Sequence, residues 1–440
     1  MKIVLFSPMI TTSAIGRVSA LLVPELLARH ELTVVRIEKI ELLATPTHAC
    51  AARLLRWDDT AAVQRAIDEA DALVYQIGNH FDFHAGGVHW LERHPGIVCL
   101  HDFVVAHLFA GWGHHRPEEA RRILCSLYGE AVAQSYFSAR DHREFIETAS
   151  RDHPMTEWIC GMAHGVISHS RWGMGRVMQS CAGPVKIAAL PYDAPAALGL
   201  AATQRADDAK IHVLTVGQAN PNKRIESVIC AIGTSALLRQ VVHYRLCGSI
   251  SPRYALELSK LARSMSVMLT IDGETSDTAL QTVMNETDIA CCLRWPSLEA
   301  ASATAIEALL YGKAVVVMDT GFYSDLPDSC VRKISAQDEV QHLRGVLEEL
   351  ATDHAGRAEM AKRGQAWAIE TFTTSHYADA IESTARDTSI ARPALDMAQQ
   401  LGAMVCGWTG GSEILKNAQL HDALQIFAID PAVRLTEPHS

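Results

Sequence analysis

KIVLFSPMITTSAIGRVSALLVPELLARHELTVVRI, residues 2–37, holds the pattern on which the fold turns. KIVLFS (2–7) is an apolar, strand-like run, GRVSALLVPELLARH (16–30) is helical, and ELTVVRI (31–37) is strand-like again. Strand, helix and strand in one short segment make a βαβ unit, and with it a parallel sheet, the expectation.

The alternation continues outward. Ala61 to Ala70 reads as a helix, ALVYQIG (72–78) and GIVCLHD (96–102) as strands, Pro117 towards Ala133 as a longer helix, and GVISHS (165–170) as a further strand. Residues 191–208, with two prolines and little periodicity, read as a linker. IHVLTVG (211–217), YRLCG (244–248), VMLTIDG (267–273), IACCLRW (289–295) and KAVVVMD (313–319) are then strands, with helices between them and around 336–350 and 355–370. The expected fold class is α/β, with two Rossmann-like doubly wound domains facing a cleft. The first spans 1–190 and the second 209–385, with a helical tail, 386–440, that packs back or makes an oligomer contact. Ligands of open α/β sheets bind beyond the carboxyl ends of the strands, so the polar residues there are the ones to inspect.

Composition narrows the function. A chain of 440 residues exceeds what one core usually serves, and 48% hydrophobic residues allow proper cores. The formal charge of -11 argues against bulk attraction to nucleic acid or anionic lipid, so any bound phosphate needs local positive charge. Eleven cysteines without a Cys-x-x-Cys pattern point to a reducing compartment. No apolar run approaches a transmembrane span, and the N-terminus lacks signal-peptide character. A cytoplasmic protein is expected, with peripheral membrane contact left open.

Two stretches carry the chemistry of the second half. In VGQANPNKRIESVICAI (216–232), Gly217 closes a strand, and Lys223 and Arg224 stand where the loop becomes a helix. A helix N-terminus presents unpaired amides and partial positive charge, so cations there make an anion site suited to a diphosphate; the competing reading is a solvated loop. In EAASATAIEALLYGKAVVV (299–317), Glu299 and Glu307 lie eight positions apart. On one continuous helix they would be about 12 Å apart in rise, too far to serve one atom, so a bend between them is needed. A loop over 297–303 and a helix from Thr304 supply it. Thr304 to Glu307 also fits a capping box, which would explain Glu307 without any ligand.

In the first half, His80, Asp82, His84 and His89 raise the idea of a metal site, but their spacing matches no defensible ligand set, and no metal is assigned. His107, His114 and His115 are read as helix or loop residues. Asn79 and His80, at a strand's carboxyl end, could hold a polar acceptor. Ser170 and Arg171 suit either an anion or an N-cap.

Taken together, strand, Gly, loop Lys and Glu-x7-Glu followed by Gly-Lys-Ala-Val-Val-Val resemble the donor half of retaining glycosyltransferases of family 4, with the GT-B fold. GNHFDFH (78–84), HPGIVCLHD (94–102) and VISHSRWG (166–173) extend the resemblance over most of 1–385. It implies a retaining transfer of a hexose-type sugar from a nucleoside-diphosphate sugar to a hydroxyl acceptor, a glycan, glycolipid or small molecule, without a required metal. By the same resemblance Glu307 binds the ribose, Glu299 lies at the donor sugar, and Lys223 neutralises the diphosphate. Gly217, Arg224, Ser302 and Ala303 complete the donor side. Ala300, Ala301 and Ser302 replace the family's usual Gly near the first Glu. His101 would lie against the sugar carbon under attack, beside Asp102, and the Ser13 to Gly16 loop would approach diphosphate or acceptor. The family usually has an Arg after the loop Gly, where this chain has Gln218; Arg224 could supply the missing charge. Rival readings are a GT-B epimerase or phosphorylase, and a non-catalytic GT-B subunit. A homo-oligomer is possible.

Overall fold

The computed structural model describes residues 1–139, 141–193 and 210–406. The chain forms two compact units, Met1–Pro191 with Thr374–Ser440, and Tyr192–Thr373.

In the first unit, β1 (Lys2–Ser7), β2 (Glu31–Arg36), β3 (Arg53–Arg56), β4 (Ala72–Ile77), β5 (Ile97–Leu100), β6 (Gly165–Ser168) and β7 (Val185–Ile187) form a parallel sheet in the order β3-β2-β1-β4-β5-β6-β7. β5 and β6 are buried throughout, and β1 and β4 nearly so. Such strands must be apolar on both faces, which is why they read as unbroken Val, Ile and Leu runs. The helix Ala14–Leu27 starts at Ser13, whose Oγ accepts from Gly16 N at 3.1 Å. The 33-residue helix Thr374–Cys406 packs on that helix and on β4 to β7, adding Tyr377, Ala378, Ile381 and Ala385 to the core of Leu5, Val34, Val74 and Ile167.

The second unit repeats the plan with β8 (Ile211–Val216), β9 (Val242–Cys247), β10 (Leu269–Gly273), β11 (Ile289–Cys292), β12 (Ala314–Met318) and β13 (Val331–Ile334), ordered β10-β9-β8-β11-β12-β13 and all parallel. Strand order reverses between β8 and β11, as it does between β1 and β4 in the first unit. In such sheets this switch point is where the strand ends leave room for a ligand.

Several expectations shift. The boundary at 385 falls inside the helix Thr374–Cys406; the chain leaves the second unit at Thr373, in a polar turn with no Gly or Pro to mark it. The linker 191–208 lies outside the described residues from 194 on, and so does the tail beyond 406. β3 (RLLR), β7 (VKI) and β13 (VRKI) escape a reading by apolar runs, being short and carrying cations.

Candidate functional site

The second unit gathers its polar groups at the carboxyl ends of β8 and β11. β8 leads into Gly217, whose φ of 94° is open to Gly and strained for other residues. Gly217 also packs against Gly248, where an added Cβ would come within 2.3 Å of the Gly217 oxygen. The chain then makes a short 3-10 turn, Pro221–Lys223, started by Asn220, before the helix Ile225–Gly233.

That turn brings the Lys223 ammonium back over the strand end. Lys223 is 5% exposed and donates from Nζ to Val216 O. A Cβ on Gly217 would lie 2.7 Å from Nζ, so Gly217 makes the room. Burial, with the Arg294 charge next, pushes the Lys223 ammonium down to about 7 from an ordinary 10.5, against the opposing pull of Glu299. An ammonium so short of counter-charge is a ready partner for an anion.

Glu299 reaches the same place from the loop after β11. Arg294, 7% exposed, lies 3.2 Å from Glu299 Oε1 through Nε, and Tyr323 donates its hydroxyl to that oxygen at 2.9 Å. Asn222 ties the two loops together, accepting from Trp295 N at 2.9 Å and donating from Nδ2 to Pro296 O at 3.0 Å. Arg294 is paired with this partly exposed carboxylate, so each proton that the neighbouring buried Lys223 holds adds positive charge to the cluster without a counter-charge of its own. Sequence reasoning missed Arg294 and Tyr323. Arg294 reads as part of the strand IACCLRW, yet a cation at a carboxyl end, five residues before Glu299, is a usable signal.

The bend between Glu299 and Glu307 is present, but not as expected. The helix runs Ala303–Leu310 with Ser302 as N-cap, and Ile306 N donates to Ser302 O at 3.0 Å. Thr304 is therefore inside the helix, its Oγ1 3.2 Å from Ser302 Oγ, and the capping box does not form. Glu307 stands in the second turn, where its carboxylate accepts from the Tyr192 hydroxyl at 3.4 Å. The first-turn amides, starting at Ala303, have no intrahelical acceptor and open beside the Glu299 loop.

Arg224 takes another role than the one expected. Its backbone is left-handed (φ 55°), and its guanidinium grips Glu339 with contacts of 3.0, 3.0 and 2.6 Å. The charge assigned to a diphosphate is met inside the unit. Arg294 is the cation that stands with Lys223.

In the first unit, His101 follows β5 and is 7% exposed, with Nε2 2.5 Å from Gln76 Oε1 and its ring 4.8 Å from that of His169. Burial, then His169 and His84, holds it well below the usual imidazole range, so it is neutral and donates from Nε2 to Gln76. Asp102 accepts from Asn79 N at 2.7 Å.

The remaining first-unit residues are corrected in role. Asn79 caps the helix Ala106–His114, its Oδ1 accepting from His107 N at 2.9 Å and Leu108 N at 3.3 Å while Nδ2 meets His107 Nδ1 at 3.1 Å. It is occupied in the fold rather than offered to an acceptor. Gly16 is helical, not in a loop, and a Cβ there would come within 2.7 Å of Pro8 O. Ser170 is not an N-cap, since Gly173 takes that place for Met174–Ser180; its Oγ is buried without a partner. His80 stacks on Phe83, and Asp82 pairs with Lys39. His84 is buried, which holds its imidazole down at about 3. Among the described residues no three of His, Cys, Asp or Glu converge as metal ligands, and no helix is long and apolar enough to cross a membrane.

Residues 201–367 match the family model described as Glycosyl transferases group 1, so the second unit carries such a domain. No curated protein sequence matches the chain. Solved structures do: sucrose-phosphate synthase from Thermosynechococcus elongatus (TM-score 0.56, 15% identity, 90% of this chain and 99% of that one). Another is HepE of Anabaena in complex with UDP and glucose (0.58, 15%, 87% and 99%). A third is a glycosyltransferase from Rickettsia africae (0.60, 10%, 88% and 98%). At these identities the likeness shows the fold, which is GT-B.

Proposed function

We propose that the chain is a retaining glycosyltransferase of family 4 that moves a hexose-type sugar from a nucleoside-diphosphate donor to a hydroxyl acceptor, in polysaccharide or glycolipid assembly in the cytoplasm. The observation that carries this reading is the buried Lys223 close to the Arg294–Glu299 ion pair, at the switch point of a glycosyl transferases group 1 domain. HepE, of the same fold, was crystallised with UDP and glucose, which suits a nucleotide-sugar donor.

Cleavage of the anomeric C–O bond leaves charge on the diphosphate. Lys223, Arg294 and the amides at Ala303 stabilise that charge as it forms, in a place where low dielectric strengthens each interaction. They do the work that a divalent ion would otherwise do, and we assign none. Glu299, with one oxygen held by Arg294 and Tyr323, offers its other to a sugar hydroxyl. Glu307 takes the ribose hydroxyls. Retention needs no protein nucleophile if the acceptor hydroxyl attacks from the leaving-group side and a phosphate oxygen takes its proton. His101, neutral, is the first unit's proposed contribution to transfer.

The test is a panel of UDP, GDP, ADP and dTDP sugars, read first by thermal shift and then by donor hydrolysis or transfer. One donor should raise Tm and turn over, and Lys223→Ala should lower kcat/KM by about 10²–10³. Glu307→Ala should weaken the free nucleoside as well. A protein that binds a donor and turns none over would be a binding subunit instead.

A further inference from the structure

We propose that Gln76 and Tyr377 are positioning residues that fix which nitrogen of His101 carries the proton, so that His101 offers a lone pair, and no proton, to a substrate hydroxyl. The consequence for rate rests on the reading of His101 as part of transfer. The pinning of the ring does not. Gln76 is the next-to-last residue of β4 and fully buried, and its Oε1 lies 2.5 Å from His101 Nε2. An amide oxygen only accepts, so Nε2 holds the proton and the neutral ring keeps its lone pair on Nδ1. The backbone fixes the base of the side chain, His101 N donating to Ile77 O at 2.9 Å. Nδ1 makes no hydrogen bond to a described residue and, unlike His84 Nδ1 and His169 Nε2, it is not sealed from solvent.

The long helix keeps the amide from turning over. Tyr377, in Thr374–Cys406, is fully buried, and Cys99 on β5 and Gln76 on β4 are the groups that act on its hydroxyl. Neither Gln76 Nε2 nor the Tyr377 hydroxyl finds a hydrogen-bond partner elsewhere among the described residues. A buried polar group left unpaired is costly, so the amide N–H is held towards the tyrosine oxygen and the tyrosine proton is left for the Cys99 sulfur. Gln76 Oε1 then has one direction to face, which is towards His101.

The groups around the ring are neutral. Burial pushes the Cys99 thiol up to about 12 and the Tyr377 phenol well above its usual range. It holds His84, from the helix Phe81–Leu91, down at about 3 and His169, after β6, down at about 4. His169 donates from Nδ1 to Ala188 O at 3.0 Å, which fixes its own tautomer. Asp102, next along the chain, accepts from Asn79 N, and no carboxylate acts on the His101 ring. A carboxylate in the place of Gln76 would favour the imidazolium, whose Nδ1 has no lone pair. The amide orients the ring without inviting a second proton.

Nitrogen NMR on the full chain labelled at histidine decides it, His101 being identified by the signal that His101→Gln removes. The wild-type ring should show a protonated Nε2 and an unprotonated Nδ1, unchanged from about pH 5.5 to 8. Gln76→Met should let the other tautomer appear and lower kcat about tenfold with the donor KM kept. Tyr377→Phe, which leaves the ring in the core, should do the same in smaller measure. Gln76→Glu should keep the Nε2 proton and the kcat of wild type at high pH, and add an acid limb to the pH profile. A wild-type proton on Nδ1, or a wild-type ring that titrates near its ordinary value, would overturn the proposal. So would a Gln76→Met chain with tautomer and kcat unchanged. The NMR needs no substrate, so it tests the pinning even if no donor turns over, whereas the kcat arm falls with the reading of His101.

Discussion

Lys223 is costly to the fold. The unfolded chain keeps the lysine proton to 10.5, the folded one only to about 7, so between those values the unfolded state holds more protons. Stability therefore rises with pH across that window, and the penalty is full below it. Lys223→Met should be more stable than wild type at pH 7 by about 1–4 kcal/mol, and the gain should fade as pH nears 10. Denaturant melts at both pH values check this; a variant less stable at both would show that the ammonium is well satisfied. Nucleoside diphosphate at pH 8 should return the proton to Lys223. Calorimetry in buffers of different ionisation heat should then register proton uptake, and a buffer-independent heat would place the diphosphate elsewhere.

At the scale of elements, two arginines separate structure from binding. Arg224 joins the start of Ile225–Gly233 to Glu339 at the start of the helix Glu339–Thr352. Arg224→Ala should cost about 1–3 kcal/mol, since it strands a buried carboxylate, and leave nucleoside diphosphate affinity unchanged. Arg294→Gln should weaken the nucleoside diphosphate that the donor panel identifies at least about tenfold. The opposite pattern in titrations of both variants would restore Arg224 to the phosphates. This contrast also marks how far the sequence could be read. The strands were legible because burial on both faces demands apolar runs, and Lys223, Glu299 and Glu307 because a loop and helix entry at a strand end limit what can stand there. Tyr323 was not, because its pairing with Glu299 is made by chain folding across 24 residues, and Arg294, only five residues before Glu299, reads as the end of an apolar strand. The helix start at Ser302 was missed because Thr304 offered an equally good cap two residues later; packing of Ala305 and Ile306 into the core chose between them.

For the whole molecule, the last described helix is the structural question. Thr374–Cys406 follows the second unit in sequence but belongs to the first, filling its core with Tyr377, Ala378, Ile381 and Ala385. Lys186 pairs with Asp387 at 2.7 Å and Arg29 with Asp379, so charges line the same seam. Tyr377 and Ile381 contribute roughly 1.5–3 kcal/mol each on burial and the two alanines about 0.8 each, a sum that reaches the lower part of a domain's marginal stability of about 5–15 kcal/mol. A chain ended at Thr373 should therefore keep the second unit folded and lose the first. A chain ended at Cys406 should keep both. Limited proteolysis reads the difference: for the shorter chain, a resistant fragment within 192–373 with 1–191 digested; for the longer one, both resistant. Survival of 1–191 in the shorter chain would mean that the helix only covers a core complete without it.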